Sequence, residues 1–192
     1  MLLRHVYSIV GIVDHIHRRI GYQGGRLALR DVFECVPGLL LAQVDPSALP
    51  PGASAAMERV SGCVRIAVDA SLSRAEQRVA IAHEIGHALL HAGHVFEALP
   101  PEEESVREEQ AERFAEELLA PRWALAQAPG ALPGARISFI SRHFEITQEL
   151  ATRRIALLRA IAASRHANAS ARRRDGNRDR QEALAGAQST YR

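Results

Sequence analysis

Apolar residues recur every three or four positions over residues 5–19, with His and Arg between them, and the pattern stops at the loop GYQGGR. That spacing predicts an amphipathic helix over 5–19. Two later runs, GLLLAQVD at 38–45 and CVRIAVDA at 63–70, are short, apolar or alternating, and bounded by Pro, Gly or Asp. Both are expected strands. The segment between them, PSALPPGASAAMERVSG, is rich in Pro, Gly and Ala and reads as a loop ending in a hairpin turn at Ser61-Gly62. SRAE at 73–76 has the S-x-x-E form of a capping box, so Ser73 is expected to cap a helix running to about His91.

Residues 92–104 read as a second loop, closed by Pro100-Pro101 and three Glu, followed by a helix over 105–119 that Pro121 stops. APGALPGA at 128–135 is another expected loop, and a helix-rich segment over 137–163 closes the domain. From Ser164 onward periodicity and large apolar residues vanish, which predicts a disordered or frayed tail. The expected organisation is one domain over 1–163 and a basic tail over 164–192. The fold class is α+β, mainly helical, with a small sheet beside the 73–91 helix.

Composition changes this picture little. With 47% apolar residues among 192, a packed core is within reach. All 24 basic residues are Arg, and the formal charge of +2 conceals an acidic stretch at 97–117 and an Arg-rich one at 165–192. Cys35 and Cys63 are too few for a disulfide framework, fit a reducing cytoplasm, and read as buried thiols. The apolar patch at 6–13 is far short of the ~20 residues of a membrane span. A membrane partner is not expected, and the cytoplasm is the expected location.

The candidate chemistry lies in VAIAHEIGHALLH at 79–91. Residues four apart share one helix face, about 6 Å from each other, so His83 and His87 can offer two imidazole nitrogens to a single zinc ion. Glu84 lies beside such an ion without binding it, placed to take a proton from a water the metal polarises. This is the H-E-x-x-H arrangement of zinc peptidases. Gly86 leaves room for a second helix to approach closely. By contrast, His15 and His17 in HIHRR point about 160° apart on a helix and cannot share an ion.

Zinc needs a third protein ligand. The longer pattern H-E-x-x-H-x-x-G-x-x-H fails here, because Leu90 and Gly93 stand where its Gly and His belong, and His94 comes one residue late. His91 lies about 80° round the helix from His83, a placement better suited to supporting a ligand than to being one. The acidic helix SVREEQAERFAEELLAP at 105–121 is the remaining source. Its buried stripe is expected to include Ala111, Phe114, Ala115 and Leu118. Glu108 projects to the margin of that stripe, Glu112 about 40° from Glu108, and Glu109 roughly opposite. Glu108 is the first choice for the third ligand and Glu112 the second, while Glu109, Glu116 and Glu117 are expected in solvent.

VAIAHEIGHALLH followed by EEQAERFAEELLAP resembles the ImmA/IrrE family of bacterial and phage zinc metallopeptidases, which carries an AHE-x-GH-x-x-LH helix and an E-x-x-A-[ND]-x-F-A-x-x-LL-x-P helix. RHFEITQELATRRIALL at 142–158 is similar to the family's closing segment, so the likeness covers roughly 60–160. It implies a zincin-like peptidase domain holding one Zn²⁺ per chain on His83, His87 and Glu108, with Glu84 as catalytic base. It also implies regulated cleavage of a protein partner, typically a helix-turn-helix repressor, in stress responses and mobile elements. Glu112 departs from the usual Asn or Asp, and Ala120 from a common Met. His143 and Arg142, and after them Tyr22, are candidates for the second donor to the oxyanion. Two other readings exist: a metal-stabilised module that sequesters a repressor without cutting it, and nucleic-acid binding through RRRDGNRDR. Retention of Glu84 argues against the first; interspersed Asp and missing aromatics argue against the second, so direct nucleic-acid binding is not expected.

Overall fold

A computed structural model of the chain describes residues 8–91, 100–128 and 137–165. Its first helix, α1 (Ile9–Arg19), starts where the Ser8 hydroxyl accepts the Gly11 N–H. Residues 5–7 of the predicted helix lie outside the described residues, as do most of the predicted loops at 92–104 and 128–135. The 3.6-residue period buries Val13, Ile16 and His17 and leaves His15 exposed. His17 Nε2–H donates to the Leu118 carbonyl at 2.9 Å, so the two histidines of HIHRR are separated as their spacing requires.

A short helix that the pattern did not announce, α2 (Leu29–Cys35), follows. Three strands then form a mixed sheet in the order β1-β3-β2: β1 (Leu39–Val44), β2 (Ala55–Val60) and β3 (Cys63–Asp69). β1 runs parallel to β3 and β2 antiparallel to it. β2 corrects the expected loop over 46–62. Its Ala, Met and Glu have weak strand preference, but pairing with β3 overrides propensity. The turn was correctly placed: Ser61 and Gly62 both have positive φ, at 49° and 83°, as a two-residue hairpin connection needs. Cys35 and Cys63 are unpaired and only half-buried, which corrects the expectation of buried thiols.

The Ser73 box forms as expected. Its hydroxyl accepts the Glu76 N–H at 3.3 Å, the Glu76 carboxylate accepts the Ser73 N–H at 2.9 Å, and α3 (Arg74–Leu90) follows. Ile81, Ala82 and Ile85 put one face of α3 into the core, together with the buried Ile66 and Val68 of the central strand. α4 (Pro101–Leu119) begins four residues earlier than expected, because Pro101 is tolerated at the first helical position and Glu102–Glu104 complement the helix dipole. The predicted stripe of Ala111, Phe114, Ala115 and Leu118 is buried.

Two glutamates of α4 are not where they were expected. Glu117 is 8% exposed, and Glu116 is half-buried. The cause is a pair of arginines on the final helical stretch, 148–154. Arg154, 1% exposed, pairs with Glu117 at 3.0 Å and donates from Nε to the Ala120 carbonyl at 2.9 Å, and Arg153 pairs with Glu116 at 2.7 Å. A buried charge needs such partners. Between α4 and that stretch lie α5 (Arg122–Gln127) and α6 (Ile137–Phe144).

The chain divides into two units, residues 1–154 and 155–192. Of the second, residues 155–165 are described and helical, and the remainder of the predicted tail lies outside the described residues. Among the described residues the architecture is mainly helical α+β, with a three-stranded sheet beside the helix that carries His83 and His87. No helix among them is long and apolar enough to cross a membrane.

Candidate metal centre and its cleft

One turn of α3 separates His83 from His87, and their Nε2 atoms approach to 3.0 Å. The Glu108 carboxylate reaches across from α4, with one oxygen 3.1 Å from His83 Nε2 and the other 3.1 Å from His87 Nε2. Close packing of the two helices makes this possible. At Gly86 a side chain is absent where a Cβ would stand 3.1 Å from Ala111 Cα and 3.2 Å from its carbonyl oxygen. Only glycine lets α4 come this near, as the sequence suggested. The Glu108 side chain is 55% exposed, so it is more open than its projection to the margin of the buried stripe implied. Its carboxylate nevertheless faces both rings. Glu112 stands one turn on, outside the trio, and Glu109 faces solvent beside Arg113.

The chemistry of the trio suits a divalent cation. Tetrahedral zinc with bonds of ~2.0–2.1 Å sets its ligands about 3.3–3.4 Å apart, a few tenths of an ångström wider than the distances found here. His87 is held well below its ordinary pKa, first by burial and then by the neighbouring His83 charge, so its ring is neutral and offers a lone pair. Two imidazoles and a carboxylate can therefore hold a metal ion here.

His91, the C-cap of α3, supports this geometry without joining the trio. Its Nδ1 lies 3.2 Å from His87 Nδ1 and its Nε2 lies 3.0 Å from Gln110 Oε1. One placement of ring protons serves both of these contacts: His91 Nε2–H donates to Gln110, and His87 Nδ1–H donates to His91 Nδ1. His87 Nε2 is then left unprotonated toward Glu108. An outer partner fixing a ligand's tautomer in this way is common in metal sites. Gln110 carried no signal in the sequence beyond standing two residues after Glu108.

His83 and Glu84 line a cleft of about 400 Å³ with Val79 and Ala80 of α3, Ala55 of β2, and Leu150 and Arg153 of the final helical stretch. Burial pushes the Glu84 carboxyl up to about 7, and the Glu108 charge adds to the shift. A carboxyl group poised near neutrality can both take and return a proton. Leu150 and Arg153 went unforeseen because they approach from a segment remote in sequence.

The three candidates for an oxyanion donor are not among the residues lining this cleft. His143 stacks on Phe139, with ring centres 5.6 Å apart, and lies against Gly25. Arg142 is exposed on α6. The Tyr22 hydroxyl donates to the Gly25 carbonyl at 2.5 Å, with its ring against those of His17 and Trp123. Their place on or beside α6 and the 21–25 loop keeps them from the trio that the two main helices assemble.

The family model for peptidase M78, described as the IrrE N-terminal-like domain, matches residues 55–156, more than half of the chain. The chain belongs to the peptidase M78 family. The M78 match begins with β2 and takes in α3, α4 and Arg153, and so includes both the donor trio and nearly all of the cleft. A Mycobacterium tuberculosis transcriptional regulator is similar in fold, with a TM-score of 0.58 at 18% identity. That likeness covers 74% of this chain and 44% of the regulator, so this chain corresponds to less than half of the regulator's length. No curated protein matches the chain in sequence.

Proposed function

We propose that this M78 chain is a zinc-dependent endopeptidase that cuts a specific protein partner, a helix-turn-helix repressor being the class the ImmA/IrrE resemblance implies. The observation that carries the reading is the convergence of the His83, His87 and Glu108 donor atoms, with His83 and the adjacent Glu84 lining one cleft. In this reading His83, His87 and Glu108 hold the ion and Glu84 is the catalytic base. When bound, zinc supplies Lewis acidity that draws the pKa of water toward neutrality and polarises a peptide carbonyl. Glu84 then accepts the proton of the attacking water and returns it to the departing amine. His91, through Gln110, keeps His87 Nε2 free of a proton.

β2 supports a peptide substrate. Among the described residues it pairs with β3 on one side only, and its first residue, Ala55, lines the cleft. An extended segment of the partner can hydrogen-bond along that free edge and bring its scissile bond toward Glu84. The regulator similar in fold supports, through its name, a setting in transcription control. We assign the catalytic domain to residues 1–163, the tail to 164–192, and the place of action to the cytoplasm.

The test is incubation of the zinc-loaded chain with candidate helix-turn-helix repressors, beginning with one encoded beside it. A discrete cut by the wild type and at least ~10²-fold less by Glu84→Gln is expected, the low end for loss of a general base. Tight binding by both proteins without any cut would favour the sequestering module instead.

A further inference from the structure

A second cavity, of about 440 Å³, lies on another side of α3 and shares no lining residue with the peptidase cleft. Four arginines line it, Arg26, Arg30, Arg74 and Arg78, against a single acid, Glu145. Arg78 is 7% exposed. Its Nε–H donates to the Glu145 carbonyl at 2.9 Å and Nη2 to the Phe144 carbonyl at 3.5 Å, while its Nη1 makes no hydrogen bond among the described residues. Arg26 pairs with Glu145 at 2.5 Å, and that carboxylate is 3.5 Å from Arg78 Nε. Arg30 is drawn outward by Asp31 and Glu34, and Arg74 makes no ion pair among the described residues. One carboxylate therefore answers for at least three guanidinium groups.

We propose that this cavity binds a small phosphate monoester as an effector of the M78 domain. A buried guanidinium with donors to spare, opposed by a repelling neighbour, is costly unless an anion completes it. The planar fork of arginine matches phosphate oxygens in pairs. A dianion suits an excess of two or three positive charges better than a second carboxylate does. Leu29, Ile81 and Ala28 form an apolar wall beside the arginines, which calls for an organic body on the phosphate. The volume is that of an ordinary small-ligand site. Because the cavity shares no lining residue with the peptidase cleft, its occupant does not lie at the bond to be cut.

Glu145 gives the site a route to the cleft. It sits at φ 52°, a left-handed conformation uncommon for a side-chain-bearing residue, in the turn between α6 and the 148–154 stretch. Thr147, Leu150 and Arg153 of that region line the peptidase cleft. A phosphate that takes Arg26 and Arg78 from the Glu145 carboxylate loosens the turn that places those residues. Binding itself does not depend on the peptidase reading.

The test is calorimetric titration of the zinc-loaded protein with AMP, glycerol phosphate, inorganic phosphate and a polyglutamate peptide, in potassium chloride at constant ionic strength. Saturable binding of AMP at one site per chain is expected, weakened at least ~10-fold by Arg74→Glu, since a neighbouring charge of the wrong sign costs more than lost attraction. Arg74 makes no ion pair among the described residues, so that variant is expected to fold; Arg78→Lys, with its charge kept and its fork removed, is expected to weaken AMP too. Protection of Arg74 and Arg26 from phenylglyoxal by AMP, read by mass spectrometry, locates the site. No saturable AMP binding, or equal affinity in wild type and Arg74→Glu, overturns the proposal. Binding of polyglutamate in place of AMP overturns it in favour of an acidic protein segment. Inorganic phosphate binding as tightly as AMP overturns the requirement for an organic body.

Discussion

Gly86→Ala adds one methyl group at the contact that brings Glu108 to the two histidines. The new Cβ would meet Ala111 Cα at 3.1 Å, the Ala111 carbonyl oxygen at 3.2 Å and Phe114 Cβ at 3.2 Å. Two of these three atoms are backbone, so relief requires α3 and α4 to part by a few tenths of an ångström. Overpacking of this kind costs about 1–3 kcal/mol, and replacing a mid-helix glycine by alanine returns about 0.5–1 kcal/mol. The net effect is a loss of about 0–2.5 kcal/mol, or a Tm lower by up to ~10 °C at this chain length. The larger effect is local. Gly86 lies between His83 and His87, and Ala111 is one turn from Glu108, so the parting falls on contacts now at 3.1 Å. Zinc affinity, measured by competition with a chromophoric chelator, is expected to fall about 10–100-fold, the range for disturbing the surroundings of a metal ligand. Gly86→Val is expected to be worse on both counts. A Gly86→Ala protein that gains the full ~1 kcal/mol of helix preference and keeps its zinc affinity would refute the reasoning.

Glu84 makes the metal-free protein sensitive to pH. Its carboxyl is raised from 4.5 to about 7, so its contribution to stability is fully present below pH ~4.5 and is lost as pH rises through about 7. Glu84→Gln, which cannot ionise, is therefore expected to match the metal-free wild type near pH 4.5 and exceed it at pH 8 by at most ~3 kcal/mol; parallel denaturation curves across that range would contradict the assignment. His91→Phe keeps a ring in the buried site but removes the acceptor for His87 Nδ1–H. It is expected to weaken zinc about 10–100-fold, because the His87 tautomer is no longer fixed, and to raise the pH at which affinity falls, because the His91 charge no longer opposes protonation of His87. Chelator titrations at several pH values check both, and unchanged affinity would show His91 to be packing alone.

Local rules carried much of the chain without help. The Ser73 box, the Ser61-Gly62 turn and the burial of Ala111 and Phe114 follow from periodicity and short-range hydrogen bonding, while the choice of Glu108 over Glu112 drew on the second motif of the family resemblance as well as on its helical projection. What escaped depends on partners far away in the chain. β2 is a strand because β3 lies beside it, not because Ala55-Ala56-Met57-Glu58 prefers to extend. Glu117 is buried because Arg154, 37 residues later, meets it there, and no helical projection of α4 alone can reveal that. The limit is the same in the cleft: α3 and α4 supply the donor trio from two legible motifs, while Ala55, Leu150 and Arg153 reach it only through tertiary packing. Gln110 and the four-arginine cavity lack a motif altogether, since an amide or an arginine acquires its role from what surrounds it.

The central claim is that His83, His87 and Glu108 hold one zinc ion, and metal content after exhaustive dialysis tests it directly. Atomic spectrometry of the purified chain is expected to find about one zinc per molecule in the wild type, in Glu84→Gln and in Glu109→Ala. The His83→Ala,His87→Ala double variant is expected to carry none, and Glu108→Ala to release its zinc to a weaker chelator than the wild type requires. Full zinc occupancy in the double variant, or loss of zinc from Glu109→Ala with Glu108→Ala unaffected, would contradict the account.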